Sequence, residues 1–495
     1  MLLLTGLFSP AIASAQVALP SIISDHMVIQ RELPVHVWGR ATPGAHVSVT
    51  FRDETRVVTA NPLGRWNAYL KPGAAGGPFE MTVKPADGNA SPATVIHDIL
   101  VGDVWVASGQ SNMEFELQKA STAAADLPNA GNPRIRLLIV KKRAADYPQD
   151  NVDTEGWAAS TPETAKDFSA VAWYFAREIE EKEHVPVGVI DSTWGGTVAE
   201  SWVRLTALGE DPALNPLFTS RGKMLDKAAD AEAEVKDQMR QQEEAKAGGK
   251  PAPQFPWHPP LASWGPGLLW NGMIAPLTPL PIRGAIWYQG ESNSALERFP
   301  IYNRIMRALI EDWRGKWGVG AFPFLYVQIS NFKSTPREDW ANLRQQQVET
   351  LALRNTAMAV TIDIGNPDDV HPTDKVDVAH RLALAARHLG YGEDVEYRGP
   401  MFRQATPEDA AIRAWFDHGK GLNAKGGEVT GFEVAGEDGK FSAAAAKIDG
   451  ETVVASSPDV PNPVYVRYGW ANSPECNLFN GEELPASPFT SFHPD

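Results

Sequence analysis

Cysteine is almost absent from this sequence. Among 495 residues, Cys476 is the single cysteine. One thiol cannot form an intramolecular disulfide, and it cannot build a cluster in which several thiolates bind a metal ion. Stability must therefore come from large hydrophobic cores rather than from covalent cross-links.

Positive charge is also scarce. The 45 lysine and arginine residues are outnumbered by 61 aspartate and glutamate residues, so the formal net charge is −16. A protein that binds nucleic acid presents a basic face. This composition argues against that class of partner, and we predict that the protein has no nucleic-acid partner.

The sequence lacks a hydrophobic run long enough to span a bilayer. Its most apolar segment, residues 1–15, reads MLLLTGLFSPAIASA and ends in a small-x-small pattern typical of signal-peptide cleavage, although a basic start is missing. We predict that residues 1–15 are a signal peptide and that the mature chain is periplasmic or secreted. We predict no membrane span.

The remaining sequence contains two kinds of pattern. Residues 16–98 hold short alternating runs between turn residues, which predict an N-terminal β module, and similar runs in residues 401–495 predict a C-terminal one. In residues 99–400, runs of strand length alternate with amphipathic segments of helix length. This alternation predicts an α/β domain with a parallel sheet covered on both faces, interrupted at 221–262 by a charged helical and proline-rich insertion.

Small or reactive residues follow four of the predicted strands. These segments are SGQSNM (108–113), TWGGTVAESW (193–202), GESN (290–293) and GNPDDVHPTDK (365–375). The carboxyl ends of parallel strands meet at one edge of a sheet, where ligands bind. Together the segments supply what acyl transfer needs: a nucleophile, oxyanion donors, and a base with a group that orients it.

Ser111 is the predicted nucleophile. It follows a turn and opens a helix, so its oxygen can lie over free backbone amides at the positive end of the helix dipole. The alternative is a capping box, in which Ser111 caps the helix and Glu114 reaches back to it. The motif alone does not decide between the two. It is not a Gly-x-Ser-x-Gly elbow, because Met113 stands in place of the second glycine.

His371 is the predicted general base. Asp368 lies three residues earlier in the same loop, and its carboxylate can turn back to orient the imidazole. Asp369 and Asp374 are competing orienting residues, and Asp374 is alternatively a cap for the next helix. The alternative for the whole segment is an ordinary turn.

Three further side chains or amides complete the predicted site. The Gly196 amide can point towards a developing oxyanion, whereas the alternative for Gly195 and Gly196 is only a tight turn. Gln289 can donate its side-chain amide to the same oxyanion. Glu291 can hold the loop of Ser111 or bind a substrate hydroxyl.

With these motifs in place, the chain resembles the sialate O-acetylesterase family within the SGNH-hydrolase superfamily. The resemblance covers nearly all of the predicted mature chain and rests on VWVASGQSNME (104–114), STWGGTVAESW (192–202), NGMIAPLTPLPIRG (271–284), IWYQGESN (286–293), DDVHPTDK (368–375) and RYGWANSPECNLFNGEELPASPF (467–489). It implies an SGNH-type α/β/α fold with β accessory modules. It also implies removal of acetyl esters from sugars without a metal or other cofactor.

The resemblance implies site residues as well. It carries over a triad of Ser111, His371 and Asp368, with backbone oxyanion donors at Ser111 and Gly196. The superfamily's third donor is an asparagine in a Gly-x-Asn-Asp block, and Gln-Gly-Glu-Ser-Asn stands here instead. We predict Gln289 in that role.

Four residues are predicted to contact substrate: Gln110, Trp194, Glu291 and Asn293. Of these, Asn293 is predicted to lie behind Gln289, the third oxyanion donor.

The sequence therefore predicts a carbohydrate O-acetylesterase similar to sialate O-acetylesterases, with an acetylated sugar or polysaccharide as substrate. The first alternative is a hemicellulose acetylesterase of the same family, acting on xyloglucan or xylan, which the acidic charge, the 16 tryptophans and the predicted export favour. Recognition of sialate would require a cation near the site, for which Arg283, Arg298 and Arg344 are candidates.

Two alternatives lie outside carbohydrate deacetylation. A secreted carbohydrate-binding protein without turnover would have no need of a base, so the Asp-x-x-His segment counts against it. A lipase or thioesterase of the same superfamily would need a long apolar groove, which the polar loops do not predict.

Overall fold

The computed structural model describes residues 17–86, 92–253 and 262–493. The predicted signal peptide, residues 1–15, lies outside these ranges, and so does a part of the predicted 221–262 insertion. The export of the mature chain therefore stays a prediction.

Two small sheets form the N-terminal part of the chain. Their strands are β1 (Val28–Gln30), β2 (Val35–Arg40), β3 (His46–Phe51), β4 (Glu54–Thr59), β5 (Arg65–Leu70) and β6 (Gly76–Pro85). Antiparallel β2 and β5 form one sheet, whereas β4, β3 and β6 belong to the other. Alternate residues of both, such as Val37 and Val49, are buried in one shared core, as expected for strands with one face towards the interior.

One long strand, β7 (Thr94–Gly109), joins this part to the central sheet. Its residues 94–102 pair with β6 and β1, and its residues 103–109 pair with strands of the central sheet. Where the pairing of β7 changes from one sheet to the other, the buried carboxylate of Asp103 accepts hydrogen bonds from Gln30 and Arg31. The strand crosses the predicted boundary after residue 98 without a break.

The central sheet is parallel except at one edge. Its further strands are β8 (Asn132–Ile139), β9 (Ala158–Ser160), β10 (Val187–Thr193), β11 (Gly284–Tyr288), β12 (Phe324–Val327) and β13 (Thr356–Ala359). The order is β13-β12-β11-β7-β10-β8-β9, and β8 and β9 are antiparallel to each other. Every residue of β10 to β13 is buried, as expected for parallel strands covered on both faces.

Helices on the two faces of this sheet complete three layers. The α-helices are α1 (Ser111–Glu114), α2 (Ala123–Asp126), α3 (Pro162–Ala165), α4 (Ala170–Glu183), α5 (Leu205–Gly209), α6 (Asn215–Asp226), α7 (Ala228–Ala247), α8 (Tyr302–Trp317), α9 (Trp340–Glu349) and α10 (Val376–Tyr391). Helices α4 and α10 pack on the face that carries Trp105 and Ile286, whereas α8 and α9 pack on the face that carries Trp287. The predicted α/β/α architecture is confirmed.

The charged segment predicted to be helical forms α6 and α7, and α7 buries none of its residues. Among the helices of the described ranges, none combines the length and the apolar character needed to cross a membrane.

The C-terminal part is sandwich-like. Its strands are β14 (Met401–Glu408), β15 (Ala411–Asp417), β16 (Asn423–Ala424), β17 (Phe432–Ala435), β18 (Phe441–Ala443), β19 (Ala445–Asp449), β20 (Thr452–Ser456), β21 (Tyr465–Tyr468), β22 (Leu478–Phe479) and β23 (Phe489–Thr490). Sheets of order β14-β15-β20-β19 and β18-β17-β21-β23 share one core, and β16 pairs with β22. The buried guanidinium of Arg344, in α9, donates to the carbonyl oxygens of Ala471 and Asn472 and fastens this part to the central domain.

Gly109 ends β7 in a position that excludes a side chain. Its φ is +135°, and a Cβ atom there would lie 2.1 Å from the carbonyl oxygen of Tyr288. We expect Gly109→Ala to lower the free energy of unfolding by about 2 kcal/mol or more, because the strained dihedral and the overlap both oppose folding. Urea unfolding followed by tryptophan fluorescence measures the loss.

Gly315→Ala in α8 is the matched control. A Cβ atom at Gly315 meets no atom within 4 Å, and alanine favours the helix over glycine. Equal stability of the Gly109→Ala and Gly315→Ala proteins would contradict the close approach at Gly109.

Candidate active site

The loops after β7, β10 and β11 leave the sheet at one level. Gly109, Thr193 and Tyr288 lie opposite one another in the strand register. Backbone hydrogen bonds extend this pairing, from Gln110 N to Tyr288 O at 3.0 Å and from Trp194 N to Gly109 O at 3.1 Å. The parallel register therefore brings the predicted nucleophile segment and the predicted glycine segment together.

Ser111 is the first residue of α1, and its hydroxyl does not cap that helix. Gln110 occupies the N-cap position with extended dihedrals and no side-chain cap, and Glu114 N donates to Gln110 O. The capping-box alternative is therefore wrong. Instead, Ser111 Oγ lies 2.8 Å from Nε2 of His371.

His371 lies in the loop between β13 and α10, as the sequence predicted. Burial, together with the charge of Lys375, lowers the pKa of the imidazole below its ordinary value, while Asp369 acts in the opposite direction. A neutral imidazole with its proton on Nδ1 can accept the Ser111 proton at Nε2. The two side chains thus have the geometry of a nucleophile and its base.

The predicted contact between Asp368 and His371 is not formed. Asp368 is exposed, and its Oδ1 lies 3.1 Å from Nζ of Lys333. Two successive turns explain this placement: Asn366 Oδ1 accepts from Asp368 N, and Asp369 Oδ1 accepts from His371 N. These turns bring the carboxylate of Asp369, and not that of Asp368, towards the ring.

The carboxylate that faces the imidazole is therefore that of Asp369, and not that of Asp368 as predicted. Asp369 Oδ1 lies 3.7 Å from Nδ1 of His371, which is an electrostatic contact longer than a hydrogen bond. The remaining competitor, Asp374, accepts a hydrogen bond from Asp377 N at 3.1 Å in the first turn of α10. Asp374 thus binds an amide of the first turn as the alternative expected, although Lys375 and not Asp374 occupies the N-cap position.

Gly195 lies against Ser111, and Gly195 and Gly196 are each held by a different hydrogen-bond partner. Glu114 accepts a hydrogen bond from Gly195 N, and a Cβ atom on Gly195 would lie 3.3 Å from Cβ of Ser111. Gly196 has a φ of +71°, in the left-handed region that suits glycine, and its carbonyl accepts from Trp264 Nε1 at 2.6 Å. The segment is both a tight turn and a wall of the site.

Gln289 does not face the site as predicted. Its side chain is fully buried, and Nε2 donates to Gln110 Oε1 at 3.1 Å, Thr197 O at 3.1 Å and Asn293 Oδ1 at 2.7 Å. Tyr302 donates its hydroxyl to Gln289 Oε1 at 2.9 Å. We correct the role of Gln289 from oxyanion donor to a buried junction between the loops, because its amide hydrogens already meet buried acceptors.

Two predicted substrate contacts belong to the same buried network. Gln110 Oε1 also accepts from Ser292 N at 3.2 Å, and Asn293 Nδ2 donates to Glu200 Oε2 at 2.9 Å. Both residues are buried, so we correct their role from contacting substrate to shaping the loops. Trp194 is half-buried and packs against the main core.

A second buried cluster lies behind Ser111. Asn112 Nδ2 donates to Glu291 Oε1 at 2.6 Å and to Val370 O at 2.9 Å, and Asn112 Oδ1 accepts from Lys375 Nζ at 2.7 Å. Glu291 therefore holds the helix of Ser111, which is one of the two roles predicted for it. Burial lowers the pKa of Lys375 to about 7 and raises the pKa of Glu291.

Sequence reasoning missed Asn112 and Lys375. A lysine is almost never fully buried, and Lys375 has no exposed surface, so no pattern marks it. The available signal for Asn112 was its position directly after the predicted nucleophile.

Each arginine considered as a sialate-binding cation already has partners within the protein. Arg344 lies buried against the C-terminal part, and Arg283 precedes β11, at the opposite end of the strand from the site, where it pairs with Glu32. Arg298 pairs with Glu200. Within residues 17–86, 92–253 and 262–493, no group of three or more histidine, cysteine, aspartate or glutamate side chains is placed to hold a metal ion.

The buried junction at Gln289 generates a stability prediction. Gln289→Leu removes one hydrogen-bond donor from each of three buried acceptors, and we expect the free energy of unfolding to fall by about 1–3 kcal/mol. Urea unfolding of the purified variant measures this change.

Gln404→Leu serves as the matched control, since Gln404 is an exposed residue of β14 and substitutions at such positions change stability little. If Gln289→Leu proved as stable as Gln404→Leu, the junction would not hold the loops together.

The chain is similar to known esterases along most of its length. Residues 264–388 match the family described as carbohydrate esterase, sialic acid-specific acetylesterase. Sialate O-acetylesterase of Mus musculus is 33% identical over 420 residues, which cover 77% of this chain and 75% of that protein. The Homo sapiens protein of the same name is 32% identical over 418 residues, covering 77% and 72%.

A solved structure extends this similarity to the whole fold. A crystal structure described as a novel carbohydrate acetylesterase from Xanthomonas citri is 38% identical, covers 96% of this chain and 100% of its own, and superposes with a TM-score of 0.83. By these relatives, the chain belongs to the sialate O-acetylesterase family and is a carbohydrate O-acetylesterase, a carboxylic ester hydrolase.

Proposed function

We propose that Ser111 and His371 carry out a two-step acyl transfer that removes O-acetyl groups from sugars. The observation that carries this proposal is the 2.8 Å contact between Ser111 Oγ and His371 Nε2. It lies at the carboxyl edge of the parallel sheet, where α/β proteins bind their ligands. The neighbouring glycine loop packs against the serine, because a Cβ atom on Gly195 would lie 3.3 Å from Cβ of Ser111.

In the first step, Ser111 Oγ attacks the carbonyl carbon of the acetyl ester while His371 Nε2 takes its proton. The carbonyl oxygen becomes an oxyanion, which the amides of Ser111 and Gly196 stabilise by hydrogen bonds. As the intermediate collapses, the bond to the sugar oxygen breaks and His371 donates its proton to that oxygen. The sugar leaves with a free hydroxyl, and the acetyl group stays on Ser111.

In the second step, water replaces the sugar. His371 takes a proton from the water as its oxygen attacks the acetyl carbon, and the same amides hold the second oxyanion. The ester bond to Ser111 breaks, the proton returns to Oγ, and acetate leaves. Asp369, on the Nδ1 side of the ring, stabilises the imidazolium that forms in both steps.

We infer that a neutral sugar of the hemicellulose type fits this site better than a sialate. Within the described ranges, cations near the loops of the site are paired with carboxylates, namely Arg298 with Glu200, Lys142 with Glu114 and Lys333 with Asp368. The buried Lys375 donates to Asn112. A sialate carboxylate would have to displace one of these acidic partners. This charge pattern supports the hemicellulose alternative, whereas the names of the mammalian relatives support sialate.

Acetate release tests the nucleophile and the substrate together. We expect the purified chain to deacetylate xyloglucan or xylan faster than O-acetylated sialic acid. Ser111→Ala should lower the rate at least about 1,000-fold, because loss of the nucleophile abolishes the covalent route. Enzymatic quantification of acetate on all three substrates measures both effects.

Ser121→Ala is the matched control, since Ser121 is exposed. Full activity of Ser111→Ala would overturn the nucleophile assignment. Faster release from O-acetylated sialic acid than from either polysaccharide would overturn the neutral-sugar inference and leave the nucleophile assignment intact.

The lowered pKa of His371 predicts an acid-tolerant enzyme. Burial lowers this pKa from the ordinary value of 6.5, so the imidazole stays neutral, and able to accept a proton, at a pH where an exposed histidine would be charged. We expect kcat/KM for 4-nitrophenyl acetate to fall on the acid side with an apparent pKa below 6.5. A pH–rate profile, with stability checked at each pH, measures this limb, and an apparent pKa above 6.5 would contradict the prediction.

A further inference from the structure

The side-chain amide of Asn112 is held in one orientation by the chemistry of its partners. In its charged form Lys375 Nζ can only donate, so the atom 2.7 Å from it is the amide oxygen. Val370 O can only accept, so the atom 2.9 Å from it must be the amide nitrogen. Glu291 Oε1 accepts from the same nitrogen at 2.6 Å.

This amide joins the two chain segments that carry the reacting groups. Asn112 directly follows Ser111 in α1, and Val370 directly precedes His371. The hydrogen bond from Asn112 to Val370 therefore joins the two segments, and each of its residues is the direct neighbour of a reacting residue. Asn112 is fully buried, so water does not compete for this bond.

His371 needs such support because its ring is weakly held on the other side. In the triad of serine hydrolases, a carboxylate hydrogen-bonded to Nδ1 orients the imidazole. Within the described part of the chain, the carboxylate facing Nδ1 is that of Asp369, and it lies 3.7 Å away, beyond hydrogen-bond distance.

We propose that Asn112 is a positioning residue that holds His371 against Ser111, with Glu291 and Lys375 fixing the orientation of its amide. The proposal rests on the proposed roles of Ser111 and His371. The hydrogen bond to the main-chain carbonyl of Val370 then positions His371, a role that a carboxylate has in a serine triad.

Lys375 has a second effect through its charge. Its Nζ lies over the ring of Phe115, 4.7 Å from the centroid, and it faces Glu291, Asp369 and Asp374. The groups that face His371 are Lys375, which lowers the pKa of the imidazole, and Asp369, which raises it. The lysine that orients Asn112 thus also favours the neutral base.

Asn112→Asp is the sharpest test, because aspartate has the same size but cannot donate to Val370 or Glu291. We expect kcat to fall by about 100-fold with KM nearly unchanged, as for a small misplacement of a reacting group. Asn112→Ala should be equally impaired, and the exposed Asn129→Asp should behave as wild type. Initial rates on 4-nitrophenyl acetate, with folding checked by circular dichroism, provide the measurement.

The pH–rate profile gives a readout that a merely structural role would not move. Removing the positive charge in Lys375→Met should raise the pKa of His371 and shift the acid limb of kcat/KM to higher pH. Removing the negative charge in Asp369→Asn should shift the same limb to lower pH. Opposite shifts support the two charges acting on the imidazole, and shifts in the same direction would overturn that part.

The failure of this proposal can be told apart from failure of the mechanism. If Ser111→Ala keeps full activity, the proposed mechanism itself is wrong. If Ser111→Ala is inactive while a folded Asn112→Asp keeps the wild-type kcat, or changes KM alone, the positioning role of Asn112 is overturned and the mechanism stands.

Discussion

Parallel pairing of β7 with β10 and β11 is the constraint on which the site depends. The register sets Gly109, Thr193 and Tyr288 at one level, so three loops from distant parts of the chain begin side by side. A slip of one residue would turn every side chain of a strand to the opposite face. The buried faces of these strands forbid that slip, and the position of the nucleophile is thereby fixed by the core of the sheet rather than by its own loop.

The residues on either side of Ser111 add a second level of constraint. Gln110 is held by the amides of Gln289 and Ser292. Asn112 is held by the cluster of Glu291, Val370 and Lys375. The serine therefore lies between two immobilised neighbours, and its hydroxyl approaches the imidazole from a backbone that is ordered before substrate arrives. Preorganisation of this kind contributes to catalysis because the geometry is established during folding.

The sequence predicted the parts of the site that follow from chain periodicity and from the ends of strands. The strand–helix alternation located the central strands, and the rule for parallel sheets selected Ser111 and His371. It failed where a loop's own hydrogen bonds decide which of two neighbouring carboxylates faces inward, as at Asp368 and Asp369. It failed also at Gln289 and Lys375, because burial of a polar side chain depends on three-dimensional partners that no local pattern reveals.

Strand β7 has a consequence for how this protein could be rearranged by evolution. Its first half completes the N-terminal sheet, and its second half ends beside the serine. A gene that began after residue 98 would lack β1 and β6 and leave residues 99–102 of β7 without the strands they pair with, and such open sheet edges are templates for aggregation. The N-terminal module is thus not a separately exchangeable unit. Recombination could replace it only together with β7, the strand that leads to the nucleophile.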